Sequence, residues 1–302
     1  MKILVIRFDQ RQDVFLLGGF LLRLRKEYPV AEIFLMTYEK NHDVVSTWDF
    51  IDDIVIYHPE KDIFRKWAFV SILRKVDFDI VFDMQNDQTT RFLSRLIKKK
   101  ALYKLESSPE RHLIEDYFDI LKNISIEPEV SSFNYRFPDG FCYRIGKVRP
   151  PLLVIAPFSE EGMFEWGIDR YLYIAGRFNE ATGGDVAIVG KKEDKERSRP
   201  FFVYDFIYNL PGDADLIQNL WVVKNCTIFL GGSSEFTQAA SGFGIPVIAI
   251  YDKKDLIKHY PVSDNARIFQ GENKELQTGK EISGIDEENV IEAIVDLLVE
   301  NK

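Results

Sequence analysis

The 302-residue chain has little of what commonly announces chemistry. It holds two cysteines, Cys142 and Cys226, and four histidines, His42, His58, His112 and His259, scattered without ligand spacing. Two cysteines exclude a disulfide framework, and Cys226 inside an apolar, strand-like run argues for a reducing compartment. No HExxH, CxxC, Walker A or GxGxxG spelling occurs, which removes the zinc-hydrolase, P-loop and simple dinucleotide readings. Long hydrophobic runs are missing too: the longest nearly apolar stretch, Val14–Leu22, contains two glycines and falls far short of a membrane span. Between Lys2 and Arg7 stand only four apolar residues, too few for a secretory core. A cytoplasmic protein without a structural metal or cofactor is the expectation. An excess of positive charge is also lacking. Net charge is −9, residues 1–150 carry 24 Lys+Arg against 23 Asp+Glu, and the remaining half carries 15 against 25. That disfavours nucleic acid as a partner. The one basic cluster, Arg91, Arg95, Lys98, Lys99, Lys100 and Lys104, reads either as a solvated helix end or as a contact for an anionic acceptor or a membrane surface.

What is present is length, a 46% hydrophobic content and a repeated alternation of elements. Apolar strands at Lys2–Arg7, Glu32–Tyr38, Asp53–Tyr57, Asp79–Asp83 and Ala101–Lys104 alternate with helical patterns at Asp13–Tyr28, Asp62–Lys75, Gln88–Lys98 and Pro109–Asn123. A second round runs through strands at Leu152–Ala156, Asp185–Gly190, Phe201–Tyr208, Thr227–Leu230 and Val247–Tyr251, with helices at Asp169–Ala181, Asp213–Lys224, Glu235–Phe243 and Asp286–Leu298. Such alternation predicts parallel, doubly wound sheets. Phe137–Pro151, with three prolines and two glycines, is the best inter-domain join. The predicted organisation is two Rossmann-like α/β domains, residues 1–145 and 146–302, facing a central cleft.

The most informative stretch is Ile228–Tyr251: a buried strand, the turn Gly231-Gly232-Ser233-Ser234, a short helix, and a second strand opened by Pro246. In a parallel sheet such a turn faces the ligand crevice, and helix-opening N–H groups attract anions. The glycines let a phosphate approach closely, while the serines cap the helix or donate to phosphate. An ordinary βαβ corner explains the same residues.

In order and spacing the chain resembles the heptosyltransferases of glycosyltransferase family 9, which have the GT-B fold. KILVIRF followed by Asp13-Val14 resembles that family's opening strand and Gly-Asp-Val; Asp79-Ile-Val-Phe-Asp-Met-Gln85 resembles its DLVIDLQ strand. Trp166-Gly-Ile-Asp-Arg-Tyr171 resembles WPxERF, and Asn209-Leu-Pro-Gly212 with Leu216 resembles LxGxxxL. Ile228–Tyr251 resembles GNDTGPMHLAAALGTPVVALF, and Ile282–Val290 resembles the C-terminal IxxeeV. The departures fall on functional positions. Gln12 stands where the family has Gly, Phe164 where it has a Lys facing donor phosphate, and Gly232, Ser234 and Thr237 where it has Asp, Gly and His.

The resemblance implies an inverting, metal-independent transfer of a heptose-like sugar from a nucleotide sugar, ADP-heptose or a relative, to a lipopolysaccharide or other surface-glycan acceptor. Asp13 becomes the general base, although a first-turn acid also serves as dipole partner or cap. Asp9, Arg11 and Gln85 become acceptor contacts. Gly231, Gly232, Ser233, Ser234, Glu235 and Thr237 form the donor site, where Lys191 or Lys192 would supply the charge absent at Phe164, with Arg170 as another substitute. A solvated charged turn explains the two lysines equally well. Asp213-Ala-Asp215 has the spelling of metal-dependent transferases, but capping of the following helix explains it. Peripheral membrane contact through Arg91, Arg95, Lys98, Lys99 and Lys100 is a further expectation. The readings in competition are a GT-B-like nucleotide- or glycan-binding scaffold without turnover, and an epimerase or hydrolase on the same fold.

Overall fold

The structure, a computed structural model, describes the chain except residues 60–62, 128–132, 134, 160–162, 264, 277–278 and 302. It divides into two compact units, Met1–Ser131 and Ser132–Lys302. Residues 133–145 thus lie with the second unit, ahead of the join that composition suggests after residue 145. Aromatic packing holds them there. Phe137 meets Trp221 edge-on at 5.0 Å and stacks on Phe243 at 5.8 Å, Phe141 meets Trp221 at 5.5 Å, and the Lys224 ammonium lies over the Phe137 ring at 5.1 Å.

The first unit is a five-stranded, all-parallel sheet of β1 (Lys2–Ile6), β2 (Glu32–Thr37), β3 (Asp53–Ile56), β4 (Phe78–Asp83) and β5 (Lys99–Lys104), in the order β3-β2-β1-β4-β5. Its inner strands are apolar on both sides because helices cover both faces. On one face lies α1 (Arg11–Glu27), burying Val14, Phe15, Leu17, Phe20, Leu21 and Leu24. After the short α2 (His42–Val45), the chain returns as α3 (Ile63–Leu73) and, after β4, α4 (Gln88–Leu96). Their Val70, Leu73 and Leu93 share one core with Leu4, Ile6, Phe78 and Val81. The closing helix α5 is shorter than the sequence pattern suggests, Leu113–Asp119, and tightens into a final turn over Ile120–Ile124. Strand order reverses between β1 and β4, which leaves a crevice at their C-terminal ends.

The second unit is a seven-stranded sheet ordered β12-β11-β10-β9-β6-β7-β8. Its strands are β6 (Leu153–Ala156), β7 (Val186–Ile188), β8 (Ile207–Asn209), β9 (Ile228–Gly231), β10 (Val247–Asp252), β11 (Ala266–Leu276) and β12 (Gly279–Ser283). All pair in parallel except β12, which folds back antiparallel on β11. The connecting helices are α6 (Ile168–Thr182), α7 (Leu216–Lys224), α8 (Glu235–Gly242), α9 (Lys253–His259) and α10 (Glu287–Glu300). Ile174, Phe178, Val290 and Ile294 of α6 and α10 close over Leu153, Ile155, Ile228 and Ile248. Here the reversal of order falls between β6 and β9.

Three elements depart from the sequence reading. The strand expected over Phe201–Tyr208 is only β8, because Pro200 opens a tight helical turn at Arg199–Val203. The β11–β12 hairpin carries no strand signal in the sequence, since its charged stretch Glu272–Glu275 lacks an apolar alternation. The charged helix α9 carries no apolar period either. Asp215 caps α7, accepting from the Gln218 amide at 2.8 Å, and Asp213 pairs with Lys195 at 2.6 Å.

Two glycines of the α6–β7 corner face opposite demands. A methyl group on Gly184 would fall 2.1 Å from the Pro151 carbonyl oxygen, whereas one on Gly176, within α6, would meet nothing within 4 Å. Gly184→Ala should therefore destabilise the second unit by about 1–3 kcal/mol. Gly176→Ala should stabilise it by about 1 kcal/mol through helix propensity. Thermal unfolding of both variants checks the pair, and shifts of the same sign would contradict this packing.

Candidate functional site

In the first unit the site grows from one buried cation. The apolar run of β1 ends in Arg7, whose side chain is 5% exposed at the β1/β4 reversal. Its guanidinium donates to the Met84 carbonyl at 2.6 Å and to Asp13 Oδ2 at 2.6 Å, and reaches Asp9 Oδ2 at 3.3 Å. It also lies 5.5 Å from the centre of the Tyr117 ring, and the Tyr117 hydroxyl donates to the Asp13 carbonyl at 3.1 Å. Burial alone would lower the Arg7 pKa. Interaction with Tyr117, Asp13 and Asp9 and the Asp13 hydrogen bond outweigh that penalty, and the net shift is upward. The same burial raises the Tyr117 phenol well above its ordinary range, against the opposing pull of Arg7.

Local sequence explains how the partners arrive. Asp13 is the third residue of α1, not its cap: Gln10 holds the cap position, its side chain making no hydrogen bond to the helix-opening amides, and the Asp13 amide donates to the Gln10 carbonyl at 3.1 Å. Its side chain, 8% exposed, is thus turned to Arg7 while it also lies in the favourable first turn of the helix. Beyond β4, Asp83 accepts from the Asn86 amide at 2.8 Å and Asn86 takes a left-handed conformation, a turn chemistry suited to Asp and Asn. That turn presents Gln85, which accepts from the Phe8 amide and donates to Asp9 Oδ2, both at 3.2 Å. Asp9, Asp13 and Gln85 are therefore brought together around Arg7. Arg11 instead pairs with Asp43 at 2.7 Å and donates to the Lys40 carbonyl at 3.2 Å. Arg7 and Tyr117 join the site through the fold. A charge closing an apolar strand, followed by acids two and six residues on, is the signal for Arg7; nothing local marks Tyr117.

In the second unit, the β6/β9 reversal brings the turn Gly231–Ser234 against the loop after β6. Gly231 is needed for packing: a methyl group there would lie 2.9 Å from the Phe229 ring and 3.2 Å from the Ala156 carbonyl. Gly232 lies near that loop; its missing methyl would sit 3.6 Å from Ser159 Oγ. Ser234 caps α8 by accepting from the Thr237 amide at 3.3 Å, and the Thr237 hydroxyl donates to the Gly232 carbonyl. Those two hydroxyls fix the turn, so the group it can offer a ligand is backbone N–H, oriented by α8. Ser233 and Glu235 are likewise buried, Glu235 in the first helical turn.

Cations lie on the rings of the loop after β6, brought there from distant segments. The Arg197 guanidinium lies 4.9 Å over the Phe158 ring and pairs with Glu165, whose Oε1 accepts from the Ser159 amide at 2.8 Å. The Lys280 ammonium, from β12, lies 5.4 Å over the Phe164 ring, while the Phe164 carbonyl accepts from Ser159 Oγ at 3.3 Å. Lys191 and Lys192 follow β7 in a turn closed by Asp194, which accepts from the Lys191 amide at 2.9 Å. Burial raises the Asp194 pKa despite the Lys191 amide and the Arg197 charge. Arg170 is a structural clamp, pairing with Glu281 at 2.9 Å and Glu287 at 3.2 Å.

Neither a family model nor a curated protein matches the sequence. Solved structures do match end to end. A family 9 glycosyl transferase from Veillonella parvula aligns with a TM-score of 0.80 at 19% identity, covering 99% of this chain and 97% of that one. The ADP-heptose LPS heptosyltransferase II of E. coli aligns at 0.76 and 16% identity, covering 100% and 99%. A further E. coli heptosyltransferase, solved with ADP, aligns at 0.75 and 14%, covering 98% and 100%. The two parallel-sheet α/β units thus have the GT-B fold of these glycosyltransferases.

The Arg7–Asp13 pair is open to direct measurement. Arg7→Met removes the guanidinium from a buried carboxylate and should cost about 3–5 kcal/mol of stability. In the Arg7→Met/Asp13→Asn double variant, denaturant unfolding should show less loss than the two single changes together. Additive losses would mean the two groups are not coupled.

Proposed function

We propose that this chain is an inverting, metal-independent glycosyltransferase that moves a heptose-like sugar from ADP-heptose or a related nucleotide sugar to a lipopolysaccharide or other surface-glycan acceptor. The observation that carries the reading is a carboxylate held at the first sheet's reversal and a glycine-serine helix start at the second's, on a fold shared with sugar-nucleotide transferases. Domain organisation in this reading is an acceptor half in the N-terminal unit and a donor half in the C-terminal unit.

Asp13 takes the proton of the acceptor hydroxyl as its oxygen bonds to the anomeric carbon. The bond from that carbon to the diphosphate breaks on the opposite side, and the nucleoside diphosphate leaves with the electron pair, so configuration inverts. Arg7 orients the Asp13 carboxylate through the 2.6 Å hydrogen bond to its Oδ2. Asp9, Gln85 and Arg11 contact the acceptor. The leaving diphosphate rests on Gly231–Ser234, where helix-opening amides meet the growing charge. Glu235 and Thr237 shape the turn, and Lys191 and Lys192 add positive charge near it. No helix among the described residues is long and apolar enough to cross a membrane, and the acceptor is reached from the cytoplasmic side of one, through a basic surface that includes Arg91 and Arg95.

Phe164 in place of a phosphate-facing lysine, and hydroxyls committed to the turn, favour a second reading: a GT-B-like binding protein that has lost turnover. Calorimetry with ADP, UDP and GDP decides whether a nucleotide binds at all; an empty result sinks both readings of the donor half. Ser234→Asp keeps the cap but sets a negative charge against phosphate, so nucleotide affinity should fall at least about tenfold, which is about 1.4 kcal/mol. Unchanged affinity places the ligand elsewhere.

With a competent donor and acceptor, Asp13→Asn should slow turnover by about 10²–10⁴ with donor affinity nearly unchanged. Full retained transfer would remove Asp13 as the base. Nucleotide binding without transfer in the parent protein would select the binding-protein reading.

A further inference from the structure

α3 exposes three large apolar side chains. Phe64, Trp67 and Ile72 are 80%, 45% and 64% exposed, and Phe92 on α4 is 41% exposed. The inner sides of the two helices share a core, so both cover the same face of the first sheet. Large apolar groups exposed on one layer of helices mark an interaction site.

The charges around this surface define its partner. Residues 64–100 hold nine Lys and Arg against four Asp, a balance of +5 within a chain of net −9. Lys98 is neutralised by Asp77 at 2.5 Å and Lys100 by Asp79 at 2.6 Å, and the Lys99 ammonium folds onto the Ile97 carbonyl at 3.0 Å. Arg74, Lys75, Arg91 and Arg95, by contrast, are exposed and make no ion pair among the described residues. Arg91 and Arg95 stand one helical turn apart beside Phe92. The basic residues suited to an anionic surface are therefore these four, with only the two arginines in common with the cluster legible in the sequence. A second copy of this chain meeting the face across a two-fold axis would set the positive patch against itself, which disfavours a dimer there.

We propose that the α3/α4 face docks on an anionic phospholipid bilayer. Phe64, Trp67, Ile72 and Phe92 sit at the boundary of headgroups and acyl chains, and Arg74, Lys75, Arg91 and Arg95 lie against headgroup phosphates. Aromatic rings suit that depth because they tolerate a half-wet environment, and arginine reaches outward from an apolar footing. The inference deepens the reading of a membrane-borne acceptor and rests on it for its purpose. Its test uses neither nucleotide nor turnover, so an active enzyme that ignores vesicles fails this proposal alone, and a vesicle-binding protein without transfer fails the other alone.

The experiment is co-sedimentation of the full chain with vesicles of phosphatidylglycerol and phosphatidylcholine, against phosphatidylcholine alone. Binding should require phosphatidylglycerol and weaken with salt. Arg91→Gln/Arg95→Gln should weaken it about thirtyfold, from roughly 1 kcal/mol per basic residue. Phe64→Ser/Ile72→Ser should abolish it while leaving the thermal unfolding profile unchanged, because both side chains are exposed. Absent binding, equal binding to phosphatidylcholine, or full binding by Phe64→Ser/Ile72→Ser would overturn the proposal. So would a dimer in analytical ultracentrifugation that Phe64→Ser/Ile72→Ser converts to monomer, which would give the face to a second copy.

Discussion

A guanidinium withdrawn from water at the end of a parallel strand has to meet its counter-charges close by, and Arg7 organises the first unit around that requirement. The desolvation cost of such a group amounts to several kcal/mol, and neither Asp13 alone nor the Met84 carbonyl alone would offset it. Together with Asp9 they do, and the consequences spread outward. Asp13 is fixed at the opening of α1, Asp9 is drawn toward Gln85, and Tyr117 closes the arrangement from α5. The Asp13 carboxylate, turned to that cation, takes no part in capping α1, and Gln10 holds the cap position without a side-chain hydrogen bond to the helix-opening amides.

The second unit solves an opposite problem. A glycine-rich turn is easily too loose to bind anything, and here its side chains stiffen it. Ser234 and Thr237 spend their hydroxyls on the turn's own backbone, and the Phe229 ring fills the space a side chain at position 231 would need. Side-chain charge around the loop after β6 comes from other elements. Arg197 and Lys280 are carried in on the faces of Phe158 and Phe164, so an aromatic ring at position 164 does not leave the region without a cation. Both cations arrive from segments distant in sequence.

Charge is divided along the chain in a way that suits one acidic and one locally basic half. The first 150 residues are nearly neutral overall, yet one helical layer concentrates their positive charge beside exposed aromatics, while the remainder holds a net of −10. Long-range repulsion from an acidic half would keep an anionic surface away from it and turn the basic layer toward that surface.

The sequence by itself determined the architecture, because a buried parallel strand must be apolar on both faces and the helix after it must bury one side. KILVI, FDIVFD and VIAIYD therefore declared their places directly. It also determined that Gly231–Ser234 opens a helix and that Asp13 lies in the first turn of another. What it could not convey was which charges meet. Arg7 with Asp13, Tyr117 with the Asp13 carbonyl 104 residues away, and Lys280 over Phe164 are all products of strand order. The charged β11–β12 hairpin was illegible for the same reason, since its stability comes from pairing at the edge of a finished sheet and not from an apolar period of its own. Local patterns record what each segment must bury; the tertiary fold alone decides what each buried or exposed group is set against.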